Sequence, residues 1–181
     1  FDADGDRAFF IDDAGRILPA YLAAFLLFHN MKSPLVAEIT TYEALNYTSL
    51  TKRMKVICSR VGTYFIKKEM ARSRAGGGAE YSGHYYFADF TNNDSGILAA
   101  IKMINALTVL PYRLSQFVDL LPGRYASETF NFETAASAEL LPIIEKIYGR
   151  QAKKINRIDG LTFEFAESWF NVRPSNTEPM L

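Results

Sequence analysis

The sequence predicts an α/β chain: an α/β domain followed by a small α+β domain on an antiparallel sheet. Three observations carry this. From Leu35 to Arg72, short β-rich runs alternate with helix-forming stretches, which builds units on a largely parallel sheet. At Pro122-Gly123, a breaker pair, the order changes to strand, helix, then three strands in succession. With 181 residues, 49% apolar and 22% charged, the chain can bury a core and is long enough for one large domain or two small ones.

Each element has a local cause. Ala8 to Phe10 is a short apolar run of strand type, and Asp12-Asp13-Ala14-Gly15 reads as a turn. Pro19 suits a first helical turn, and Tyr21, Leu22, Phe25, Leu26 and Phe28 follow at helical spacing. Ser33-Pro34 ends that helix. Leu35 to Ile39 is a buried strand, Ala44 to Thr51 a helix, and Met54 to Cys58 a further strand. Tyr64 to Arg72 is a helix with Phe65, Ile66 and Met70 on its apolar side. Ala75-Gly76-Gly77-Gly78 reads as a flexible stretch leading into the aromatic strand Tyr85-Tyr86-Phe87. Asp94-Ser95 caps a helix with Ile97, Leu98, Ile101, Ile104 and Leu107 on one face. Pro111 to Leu121 is another helix. Beyond the breaker pair, Ser127 to Glu133 alternates as a strand, and Glu139 to Tyr148 is a helix with Ser137 as its N-cap. Lys154 to Ile158, Leu161 to Phe165 and Ser168 to Val172 are strands, the first two joined by an Asp159-Gly160 hairpin turn.

Charge and cysteine usage narrow the function. Lys+Arg is 20 and Asp+Glu is 20, so no global basic field holds nucleic acid or an anionic membrane. Cys58, the single cysteine, excludes an intramolecular disulfide and a multi-cysteine metal cluster, which points to a reducing, cytoplasmic setting. The most apolar run, Leu18 to Phe28, is about half the length a bilayer requires.

Three segments carry chemistry. Asp2, Asp4 and Asp6 are spaced by two, so their carboxylates can converge on one hard cation such as Mg²⁺ or Ca²⁺, or form a solvated acidic turn. An EF-hand does not fit, because Arg7 stands where its loop needs glycine and Asp13 where it needs glutamate. Glu80, Ser82 and His84 offer acceptors and donors within a short span, which suits adjacent sugar hydroxyls, and His84 can move protons near neutral pH. The bland alternative is a glycine-rich loop entering an edge strand. Arg173, Ser175, Asn176 and Thr177 would surround a phosphate dianion with donors, or form a polar turn after a strand.

In this order, FDADGDR, GAEYSGH and RPSNTEP resemble the α-D-phosphohexomutase superfamily of the phosphomannomutase/phosphoglucomutase type. The resemblance implies a mixed-sheet α/β domain and a truncated fourth domain. Residues 1–17 would end domain two with the metal loop, residues 18–122 would form the sugar-reading domain three, and residues 123–181 most of the phosphate-gripping domain four. Domain one and most of domain two would lie outside the chain. The implied reaction interconverts hexose 6-phosphate and hexose 1-phosphate through a phosphoserine enzyme and a hexose 1,6-bisphosphate, with mannose and glucose not distinguished. The resemblance assigns Mg²⁺ to Asp2, Asp4 and Asp6, the transferring phosphate to Arg7, and sugar hydroxyls to Glu80 and Ser82. It assigns proton transfer or orientation to His84, and the distant phosphate to Arg173, Ser175, Asn176 and Thr177. Arg60, before Val61-Gly62, is a further candidate substrate cation or a surface residue.

Some positions depart from the family. Thr63 stands where many members carry His after Val-Gly, and Thr40, Thr41 and Tyr42 follow the strand that often ends in a basic residue. The family's T-x-S-H-N-P-like serine loop does not occur. Thr134-Ala135-Ala136-Ser137 starts like it but continues with Ala138-Glu139. The chain alone is therefore expected to show no mutase turnover. Two rival readings are a dehalogenase-type phosphatase with Asp2 as nucleophile and a non-catalytic sugar-phosphate binding module.

Overall fold

A computed structural model describes residues 1–48, 50–121, 126–175 and 178–181. They form two compact units, Phe1–Gly123 and Arg124–Leu181. The boundary pair Pro122-Gly123 itself lies outside the described residues.

The first unit has a five-stranded mixed sheet of order β2-β1-β3-β4-β5. The strands are β1 (Leu35–Glu38), β2 (Val56–Ser59), β3 (Gly77–Ala79), β4 (Tyr85–Phe87) and β5 (Asn93–Asp94). β1 runs parallel to β2 and β3, whereas β4 is antiparallel to both β3 and β5. Its helices are α1 (Ala20–Phe28), α2 (Ile39–Tyr47), α3 (Thr63–Ser73), α4 (Gly96–Thr108) and α5 (Leu114–Asp119).

Strand alternation sorts the core into two layers. Leu35, Ala37, Tyr85 and Phe87 face α1, α2 and α4, where Phe28, Leu45 and Met103 are buried. Val36 and Tyr86 face the opposite side, against Ile66 and Met70 of α3. Burial of a large apolar side chain such as Leu35, Val36, Phe28, Ile66 or Met70 stabilises the fold by about 1.5–3 kcal/mol.

The glycine stretch is a correction. It is expected to be flexible, but Gly77 and Gly78 lie in β3, fully buried in the middle of the sheet. A Cβ on Gly77 would sit 2.4 Å from the Phe28 ring, and one on Gly78 would sit 2.7 Å from Ile66 Cγ2. These glycines let helices on both faces approach the strand.

Other boundaries shift for identifiable reasons. α2 begins at Ile39, not Ala44, because the Glu38 carboxylate accepts hydrogen bonds from Thr40 N and Thr41 N, both at 2.7 Å, and caps the helix. Ala8 to Phe10 is not a strand. Isolated bridges Arg7–His84 and Ile11–Ile17 flank it instead. On α4, Ser95 caps as expected by accepting from Leu98 N, but Ala99 and Met103 make the buried side while Ile97, Ile101 and Ile104 are exposed. The Asp12–Gly15 turn holds. Asp12 accepts from Ala14 N and Arg16 N at 2.9 Å and from Arg16 Nε at 2.8 Å. Arg16 then bridges to Asp119, and Asp13 takes both the N–H and the hydroxyl of Ser115, which pins the turn to α5.

The second unit packs α6 (Ser137–Tyr148) on an antiparallel sheet of order β6-β7-β8, made from Lys154–Asn156, Leu161–Glu164 and Trp169–Val172. Its core is aromatic: the fully buried Phe163 lies 5.0 Å from Phe170, and Tyr148 meets Phe170 edge-on at 5.2 Å. Ser127 to Glu133 is not a strand. Phe132 exchanges backbone hydrogen bonds with Leu181, and only Glu133 forms a bridge, with Met180. The alternation that suggests a strand comes from Phe130 and Phe132, and both are exposed. Ala136, not Ser137, occupies the N-cap position of α6.

Among the described residues no helix is long and apolar enough to cross a membrane.

Candidate active site

The acidic loop is held against two structured neighbours. Gly96 N, at the start of α4, donates to Gly5 O at 3.1 Å. Arg7 bridges to His84, and Ala8 N donates to Gly83 O at 3.1 Å. Gly83 has φ +91°, the left-handed region that glycine tolerates, and its N–H closes a turn on Glu80 O. The sequence segments at residues 2–7 and 80–84 are therefore side by side.

Within the loop, Asp2, Asp4 and Asp6 each present a carboxylate oxygen within 4.8 Å of the others. Arg7 grips Asp2 through Nε at 2.6 Å and through its backbone N–H at 3.1 Å. That guanidinium holds the Asp2 carboxyl well below the usual carboxylate range. Asp6 is pushed the other way, chiefly by burial and also by the nearby charges of Asp4 and Asp2. Asp6 Oδ1 is a buried atom with no hydrogen-bond partner among the described residues. Converging carboxylates, one of them with an orphaned oxygen, are the donor set a hard divalent cation requires, so the residues fit such an ion.

His84 lies beside this set. Its Nδ1 is 2.8 Å from Ser82 Oγ, and its Nε2 is 3.5 Å from Asp6 Oδ2 and 3.9 Å from Asp94 Oδ2. Asp6 thus belongs both to the acidic loop and to a second cluster with His84 and Asp94. Asp94 carries no site motif in the sequence, where its place before Ser95 reads as part of a helix cap. A carboxylate beside a capping serine, following an aromatic strand, is the signal that was there.

Glu80 is 4% exposed, and it accepts from Gly62 N at 2.7 Å and from Tyr86 Oη at 2.5 Å. Tyr81 N donates to Glu38 Oε1 at 3.1 Å, which anchors the loop to the end of β1. Glu38 is fully buried, and burial pushes its carboxyl up. Arg60 is exposed at the end of β2, with its guanidinium 4.4 Å from the Phe65 ring centre.

The remaining candidates are in the second unit. Arg173 and Ser175 follow β8, where Ser175 N donates to Met180 O at 2.9 Å and Ser175 Oγ accepts from Glu178 N at 3.2 Å. Asn176 and Thr177 lie outside the described residues.

The comparisons with known proteins agree with one another. Residues 16–125 match the family model described as phosphoglucomutase/phosphomannomutase, alpha/beta/alpha domain III. A phosphomannomutase of Escherichia coli K12 is 31% identical over all of this chain and 41% of its own length. A phosphoglucomutase/phosphomannomutase of Thermococcus kodakarensis is 26% identical over 99% of this chain and 41% of its own. The chain thus spans about two fifths of the curated relatives it matches. Among solved structures, a phosphoglucomutase/phosphomannomutase family protein of Burkholderia thailandensis superposes with TM-score 0.75 at 24% identity, over 99% of this chain and 40% of that one. An Aspergillus fumigatus N-acetylphosphoglucosamine mutase in complex with GlcNAc-6P and magnesium shares the fold at TM-score 0.60 and 15% identity, over 99% of this chain and 43% of that one.

Proposed function

Because the chain belongs to the phosphoglucomutase/phosphomannomutase family, we propose that it supplies the metal-holding, sugar-reading and phosphate-gripping parts of a Mg²⁺-dependent phosphohexomutase. The reaction would interconvert hexose 6-phosphate and hexose 1-phosphate, with mannose or glucose as the sugar. An enzyme phosphoserine would give its phosphoryl group to the free sugar hydroxyl, and the resulting bisphosphate would reorient and return its other phosphoryl group to serine. That serine is not assigned to any residue of this chain.

Asp2, Asp4 and Asp6 would hold Mg²⁺, which when bound neutralises charge on the phosphoryl group in transfer. Arg7, fixed beside Asp2, would face the same group. Ser82, hydrogen-bonded to His84 Nδ1, orients the ring. His84 Nε2 would then take the proton of the attacking sugar hydroxyl and return it in the reverse step. Glu80 would accept from sugar hydroxyls, and Arg60 would contribute a cation to the substrate. Arg173, Ser175, Asn176 and Thr177 would grip a phosphate that does not react.

One observation supports this reading most: the acidic loop and the Glu80–His84 segment meet at Asp6, which both clusters share. Mn²⁺, a paramagnetic stand-in for Mg²⁺, tests it by NMR. It should broaden the signals of residues 2–7 and 84 first, and Asp6→Asn should remove that broadening. Broadening confined to other acidic surface residues would count against the proposal.

A further inference from the structure

The carboxylate of Glu80 is held by groups outside its own loop. Gly62 N–H, just ahead of α3, bonds Oε1, and the Tyr86 hydroxyl of β4 bonds Oε2. Tyr86 has one proton, and it is donated to Glu80. The 3.0 Å contact between Tyr86 Oη and Thr63 Oγ1 must therefore have Thr63 as donor. The chain of hydrogen bonds has a fixed direction, from Thr63 to Tyr86 to Glu80. Tyr86 is fully buried and packed among Val36, Ile66 and Met70, so its ring cannot follow a wandering carboxylate. A carboxylate offers about four lone-pair sites, and these internal donors take two of them, leaving the others for a ligand.

We propose that Tyr86 and Thr63 are positioning residues that aim the free lone pairs of Glu80 at sugar hydroxyls. This rests on the reading of Glu80 as the sugar-hydroxyl acceptor. Neither residue touches the sugar, and both act through Glu80. Tyr86 sets where Oε2 points, and Thr63 keeps the Tyr86 proton from turning elsewhere. The Gly62 amide, on the other oxygen, reports any rotation of the carboxylate.

The test is a titration of the ¹⁵N-labelled chain with α-D-mannose 1-phosphate and, separately, α-D-glucose 1-phosphate, in the presence of Mg²⁺. Tyr86→Phe should weaken binding by about tenfold, the scale of one net hydrogen bond. Thr63→Val should weaken it by a smaller factor, and Thr63→Ser, which keeps the hydroxyl, should restore it. Tyr86→Phe should also shift the Gly62 amide signal before any ligand is added. In a Glu80→Ala background, which has no acceptor for the Tyr86 hydroxyl, Tyr86→Phe should cost nothing further, whereas a purely structural role would cost the same in both backgrounds. If the unmodified chain binds neither sugar phosphate at millimolar concentration, the sugar-site reading and this inference fall together. If it binds and Tyr86→Phe binds equally tightly, or leaves the Gly62 amide unmoved, the positioning inference alone is overturned.

Discussion

Replacing Gly77 by alanine should damage the fold through a single contact. The new methyl would lie 2.4, 2.7 and 2.9 Å from three atoms of the Phe28 ring. Ordinary carbon contacts begin near 3.4 Å, so ring and strand must separate by about 1 Å. Little gives way there. Phe28 is 2% exposed and lies 5.5 Å from the Phe87 ring, while Gly77 is paired with both Leu35 and Phe87. Overpacking a stiff core costs about 1–3 kcal/mol, and a rigid ring against a central strand belongs at the upper end, about 2–3 kcal/mol. For a unit of this size each kcal/mol lowers the melting temperature by about 4 °C, so a fall of about 8–12 °C is expected. Thermal unfolding followed by circular dichroism measures it. Phe28→Leu removes the ring edge, so Gly77→Ala should cost less than half as much in that background. Equal costs in the two backgrounds, or a melting point within 2 °C of the parent, would refute the steric reasoning.

Two further outcomes follow from local structure. Ser95→Ala removes the acceptor for Leu98 N at the start of α4 and should cost about 1 kcal/mol by urea unfolding, with Ser95→Asp close to the parent. Asp12→Asn weakens the contacts to Arg16 and should lower the melting temperature at neutral pH. Hydrogen bonds from Arg16 and Ala14 outweigh burial and hold the Asp12 carboxyl below its ordinary value, so its stabilisation exists above the unfolded pKa of about 3.9. The gap between parent and variant should stay constant down to about pH 5 and close as acid protonates Asp12 in the folded state. A gap that widens in acid would show the sign to be wrong.

The fold was readable where burial dictates composition. Leu35 to Ala37, buried at every position, and the Tyr85–Phe87 run are apolar or aromatic because both faces of their sheet are covered. It was unreadable at Gly77-Gly78, where absent side chains are the adaptation and a strand looks like a linker. On α4, Ile97, Ile101 and Ile104 outweigh Ala99 and Met103 in any hydrophobic count, yet the small pair faces the core. The site followed the same division. The aspartates and the Glu80–His84 segment announce themselves as motifs, and the structure sets them together. Asp94, Thr63 and Tyr86 carry no motif, and they join the site only through strand pairing and helix placement.

On the proposed function, this chain would read a phosphorylated hexose with the residues around Asp6 and Glu80. A titration with α-D-glucose 1,6-bisphosphate in Mg²⁺, read residue by residue by NMR, tests it directly. Saturable shifts should appear at Glu80, Ser82, Gly83 and His84, weaken on Glu80→Ala, and fade when EDTA removes the ion. Absence of saturable binding at millimolar bisphosphate, or shifts that ignore Glu80→Ala, would contradict it.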